Sequence, residues 1–131
     1  MIVVVFGGTH RDDIDLEEYG RTSARMQEIV ATIPGFISYN TYESDRADDI
    51  GVVRFDSLEA LEAWRTHPDH LEAQEKDRSS FSENYWIQVA STVREYEWTN
   101  TSGYHSDLRK TFAQDSQIKP MVESPQTESD T

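Results

Sequence analysis

The hydrophobic period of the chain changes abruptly at Pro34-Gly35. Before that pair, Leu16, Tyr19, Ser23, Met26, Val30 and Ile33 recur at alternating steps of three and four, which is one stripe of an amphipathic helix. After it, Phe36 to Glu43 alternates with period two and is rich in aromatic and β-branched residues, which predicts a strand. Proline cannot continue the helix and glycine closes its last turn, so the two elements meet at a sharp corner. Asp15, with Glu18 three residues later, offers a capping box at the other end of the helix.

The same reading extends in both directions. Ile2 to Phe6 is a continuous apolar run, the pattern of a strand covered on both faces. Ser44 to Asp49 is a hairpin-length connection, and Ile50 to Phe55 the next strand. Asp56 with Glu59 forms a second capping-box pattern, and Leu58, Leu61 and Trp64 carry the apolar face of the helix that follows. Pro68 interrupts that helix and starts another segment, to be held down by Leu71 and Phe81. Tyr85 to Tyr96 reads as one long strand with Tyr85, Ile87, Val89 and Val93 on one face.

The order is therefore βαββαβ, which predicts an α+β, ferredoxin-like antiparallel sheet with its helices on one face. Because both faces of the first strand are apolar, the face without helices needs a cover, and a second copy of the sheet is the economical one; a homodimer is expected. Composition turns polar after Trp98, which divides the chain into a domain over 1–98 and a C-terminal extension over 99–131. Within the extension, Leu108, Phe112, Ile118 and Met121 are scattered apolar residues. A short helix is expected near Ser106 to Phe112, and disorder over Glu123 to Thr131. So polar a tail is expected to be dispensable for folding.

Charge narrows the partners. A formal charge of −13, with three lysines among twelve basic residues, repels phosphate backbones and anionic lipid, so neither nucleic acid nor membrane is expected as a partner. The absence of cysteine excludes disulfides, thiolate metal sites and cysteine nucleophiles. Met1 to Gly8 lacks the basic leader of a signal peptide, and the expected location is cytoplasmic. Three Trp, six Tyr and five Phe exceed what a minimal core needs and direct attention to a ligand cavity or an interface.

Several segments together resemble the antibiotic-biosynthesis monooxygenase family. They are Ile33-Pro34-Gly35-Phe36 entering the second strand, the strand-to-helix passage Phe55 to Trp64, His67-Pro68-Asp69-His70, and Val93-Arg94-Glu95-Tyr96. The likeness spans roughly residues 2 to 98. It implies a dimeric α/β barrel with a pocket between sheet and helices in each subunit. Its members include cofactor-free oxygenases of aromatic polyketides and haem-degrading enzymes. The haem-degrading branch places an iron-binding histidine ten residues beyond the helical Trp, where this chain has Gln74, and uses a first-strand asparagine absent from Ile2 to Gly8. An amide is a poor axial ligand, so haem is disfavoured.

Chemistry by carbanion oxygenation needs an apolar slot, a base, and donors for the enolate. His67 and His70 are the candidate bases, since an unperturbed imidazole suits proton removal near neutrality. Trp64, Tyr39, Tyr85 and Trp86 are candidate slot walls, and Asn40 and Arg54 candidate polar contacts. No metal and no cofactor is expected: the two histidines lack a third spaced ligand, and neither a dinucleotide loop, a phosphate-binding loop nor a nucleophile elbow is present. The resulting expectation is a cofactor-independent monooxygenase of an aromatic or polyketide-like small molecule. A dimeric small-molecule-binding domain without turnover is the alternative, and a haem protein the third reading.

Overall fold

The computed structural model describes residues 1–45 and 49–120, so Met121, Glu123 to Thr131 and the middle of the Ser44 to Asp49 connection lie outside the described residues. The elements are β1 (Ile2–His10), α1 (Leu16–Val30), β2 (Phe36–Glu43), β3 (Asp49–Phe55), α2 (Leu58–Arg65), α3 (Pro68–Lys76), a π-turn over Asp77–Phe81, β4 (Ser82–Ser91), the short strands β5 (Glu97–Thr99) and β6 (Gly103–His105), and α4 (Arg109–Asp115). The first four strands form one antiparallel sheet in the order β2-β3-β1-β4, the ferredoxin-like arrangement. No helix among the described residues is long and apolar enough to cross a membrane.

Local chemistry explains the element ends. Asp15 Oδ1 accepts from the Glu18 backbone N–H at 3.1 Å and starts α1. Gly35 then turns the chain at φ +93°, and a Cβ there would run into the Asp56 carboxylate and Ala60. The cap of α2 is Ser57, whose Oγ accepts from Ala60 N–H at 3.1 Å, and not Asp56 as expected. Asp56 instead donates its backbone N–H to Gly35 O at 2.8 Å, which ties it to the corner.

Ile2, Val53 and Phe55 from the sheet meet Val30 from α1 and Ala60 and Leu61 from α2, with Ile33 and Phe36 closing the corner. Each of the larger apolar side chains, the Val, Leu, Ile and Phe of this cluster, contributes about 1.5–3 kcal/mol on burial. With Ala60 and Leu61 facing inward, Leu58 lies about 200° around the helix from Ala60 and stays exposed, contrary to expectation. Leu71 is exposed as well, and Phe81 at 2 % exposure anchors the end of the π-turn.

Two further differences concern the C-terminal part. The last main-sheet strand stops at Ser91 rather than continuing to Tyr96. Ser91 pairs with Ile2, so β1 has no residue left to pair beyond it; Thr92 N–H bonds Met1 O at 3.0 Å and the chain turns away. Next, β5 and β6 form a hairpin that straddles the point where composition changes. Its described continuation, residues 106–120, packs on the body. Leu108 is buried and Ile118 packs against the core. Tyr39 N–H donates to Ser116 Oγ at 2.8 Å, Gln117 N–H to Tyr39 O at 3.0 Å, and Thr41 N–H to Gln117 Oε1 at 2.7 Å. These bonds satisfy the outward backbone of edge strand β2, which composition alone could not reveal.

Candidate functional site

The break at Pro68 places three expected site residues together. Proline sits at the first position of α3, where its missing N–H costs nothing, and the turn folds α3 back so that His67 and His70 both approach Trp64 of α2. Ring centroids are 6.3 Å apart for Trp64 and His67 and 4.3 Å apart for Trp64 and His70.

The two histidines have different roles in this geometry. His67 is the N-cap of α3: its Nδ1 accepts from Asp69 N–H at 3.1 Å. An accepting Nδ1 puts the proton of the neutral ring on Nε2, which leaves no free lone pair for a substrate proton. His70 Nδ1 is buried and has no hydrogen-bond partner. Burial holds the His70 pKa below its ordinary value; the Arg65 backbone works in the opposite direction, and the neighbouring His67 adds to the lowering. His70 is thus a neutral imidazole with a buried, unpartnered nitrogen beside the Trp64 ring.

Tyr39 shares this face of the sheet. Its ring lies 6.3 Å from Phe6, and both pack against the core cluster that Trp64 joins. Burial pushes the Tyr39 phenol up, the Gln27 side chain pulls it down, and Tyr19 pushes it up again. The phenol therefore stays protonated and available as a donor. Phe6 covers Gly51, where any Cβ would clash with its ring, so the absent side chain makes room for the aromatic on the helix side.

Asn40, Arg54 and Trp86 lie elsewhere. Register pairs Arg54 with Val3 and Asn40 with Val52, and those residues face away from the helices, because Ile2, Val53 and Phe55 face them. Period-two alternation thus separates Asn40 and Arg54 from Trp64, and the expected single pocket wall is split across two faces. Asn40 Nδ2 donates to Asp115 O at 2.9 Å, and the Arg54 guanidinium sits 3.8 Å from the centre of the Phe112 ring. Tyr85 returns to the helix-side face, where its hydroxyl accepts from Arg78 Nη1 at 3.2 Å. Trp86 points to the opposite face, against Gly7.

Phe6, Tyr19 and Gln27 were not singled out from the sequence as site residues. Tyr19 sits edge-on to Phe81 at 5.3 Å and to His10 at 4.5 Å, an aromatic row between α1 and the sheet. Its signal was its place in the helix stripe, which is equally the signal of an ordinary core residue. Among the described residues, no three His, Cys, Asp or Glu side chains come close enough to share a metal ion.

The family model described as antibiotic biosynthesis monooxygenase matches residues 1–76. The uncharacterized protein YqjZ of Bacillus subtilis is 36% identical over 77 residues, which cover 59% of this chain and 68% of YqjZ. A mutant of SnoaB, a cofactor-independent oxygenase from Streptomyces nogalater, is similar with a TM-score of 0.60 at 14% identity, over 71% of this chain and 93% of SnoaB. A dimeric ferredoxin-like protein of unknown function from Thermobifida fusca is similar with a TM-score of 0.57 at 16% identity, over 70% of this chain and 90% of that one. At such identities the likeness to solved structures concerns the fold alone.

Proposed function

Because this chain belongs to the antibiotic biosynthesis monooxygenase family, we propose that it is a cofactor-independent monooxygenase of an aromatic or polyketide-like small molecule, working on the helix-side face of the sheet. The observation that carries this reading is His70: an imidazole with an unpartnered Nδ1, kept neutral by burial and set against the Trp64 ring. Such a group removes a proton from an acidic carbon or phenol. Tyr39, a protonated phenol on the same face, is the donor to the resulting enolate. The substrate carbanion then reduces dioxygen itself. For an anthrone-type methylene, one O2 turns CH2 into C=O and releases one water, so the atoms balance with no external reductant.

Homodimer formation is part of this reading. Strand β4 is an edge of the sheet, and Trp86, Ile87 and Val89, from both of its faces, are exposed. Long apolar edges of this kind are covered in native proteins. A second copy covers this one.

A binding domain without turnover is favoured by one observation: Trp64 and His70 already pack ring against ring, which occupies the space a substrate ring would take between them. Oxygen uptake separates the two readings. Purified protein, free of metal and flavin, should consume oxygen with an anthrone, and chelator should not change the rate. Saturable binding of the anthrone with no oxygen uptake would establish the binding domain instead.

A further inference from the structure

The face of the sheet turned away from the helices carries a second constellation that the proposed oxygenation does not use. Where α4 crosses this face, a cavity of about 260 Å³ is lined by Val3, Leu108 and Phe112, by Arg54 and Arg94, and by Glu95. We propose that this cavity is a binding site for a small organic carboxylate with an apolar body, held by Arg54 and Arg94.

The argument begins with how the other arginines are used. In a chain with 25 acidic residues against 12 basic ones, a free guanidinium should find a carboxylate. Arg21, Arg25, Arg65, Arg78 and Arg109 each do so. Arg11 donates to the carbonyls of Ser82 and Arg78. Among the described residues, Arg54 and Arg94 have neither an ion pair nor a hydrogen bond, and both line the same cavity. Glu95 is the one carboxylate in that lining; it acts on Arg54 electrostatically without coming within ion-pair distance, so the cavity keeps a net positive charge.

Arg54 is also oriented for an anion. Its guanidinium lies against the Phe112 ring at 3.8 Å, so one flat face is covered and the N–H edges remain open. A planar guanidinium with free edges presents two parallel donors, the geometry that a carboxylate accepts in bidentate fashion. Val3, Leu108 and Phe112 supply apolar walls that a free inorganic anion would not need. The lining thus specifies a charged head and an apolar body, and a benzoate-sized acid is the natural probe.

Calorimetric titration of the full-length protein with benzoate, benzamide and acetate tests the assignment. Benzoate should bind saturably at one site per chain, with benzamide and acetate each weaker by at least about tenfold, because one lacks the charge and the other the body. Arg54→Gln should weaken benzoate by about tenfold or more, the scale of a lost charge-assisted pair. His70→Gln should leave benzoate binding unchanged, since His70 belongs to the other face. Should Arg54→Gln fail to fold, Arg94→Gln at its exposed position serves in its place and must still weaken benzoate several-fold. No saturable benzoate binding, benzamide binding as tight as benzoate, or arginine variants that bind like the parent would each overturn the proposal.

Discussion

The rings of Trp64 and His70 lie 4.3 Å apart and are inclined by 39°, joined across the helix break at Pro68. The contact couples the histidine with an unpartnered nitrogen to a large apolar neighbour, and it is the reason that base strength, pH response and packing can be probed at one point.

Turnover should depend on His70 and much less on His67. His70→Ala should lower anthrone oxidation by about a hundredfold or more, the usual loss on removing a general base. His67→Asn, which keeps a cap acceptor, should change it little. Because burial holds the His70 pKa below 6.5, the rate should rise with pH on the acid side and be flat through neutrality. A rate that climbs only above pH 7 would point to another base.

The same shift makes stability depend on pH. A histidine whose folded pKa is depressed binds fewer protons folded than unfolded between the two pKa values, so stability rises with pH in that window. The contribution is fully present above the unfolded value of 6.5 and declines as pH falls from there toward the folded pKa. Melting curves across mild acid should show this slope, and His70→Gln should flatten it. An unchanged slope in the variant would assign the effect to other groups.

Trp64→Ala should cost about 3 kcal/mol, at the low end for aromatic truncation because the ring is only partly buried. Denaturant unfolding measures this directly. A loss well under 1 kcal/mol would mean that the ring contributes little to packing.

Removal of the chain after Trp98 should destabilise the protein, not leave it unchanged. It exposes the outward backbone of β2 and takes away the buried Leu108 and the core contact of Ile118. Two apolar side chains and three hydrogen bonds amount to about 3 kcal/mol or more, which is a fall of at least about 10 °C in Tm for a domain of this size. Truncated protein that melts within a few degrees of the parent would show that these contacts are weak.

Sedimentation equilibrium at micromolar concentration should give a dimer. Ile87→Glu, at an exposed position of edge strand β4, should shift it toward monomer with little change in secondary structure. A monomeric parent with a cooperative melt would mean that the β4 edge is tolerated bare.

Much of the fold was legible in the sequence because its signals are local. Pro34-Gly35 marks a corner, Asp15 caps a helix, and the bounds Phe36 to Glu43 are those of β2, although its alternation is interrupted by a register shift between Phe36 and Ser38. The helix break at Pro68 was equally local; that it brings both His67 and His70 to Trp64 is a finding of the tertiary structure. That one histidine would cap the broken helix was legible from its place at the break, but which of the two does so was not, because that depends on one hydrogen bond to Asp69 N–H and on burial.

The sequence by itself determined the order of elements and the candidate bases, since helix periodicity, caps and turns act over a few residues. Only the tertiary structure decided which strand face meets the helices, and so parted Arg54 and Asn40 from Trp64. Alternation says that Ser38, Asn40 and Tyr42 share a face, but the choice of face is made by Val53 and Phe55 packing on Val30 and Leu61, contacts distant along the chain. The docking of Ser116 and Gln117 on the β2 edge has the same origin. Ser116 Oγ and Gln117 Oε1 accept from backbone N–H groups of a strand more than 70 residues away, and nothing local marks one serine or glutamine of a polar segment as the partner of a distant strand edge.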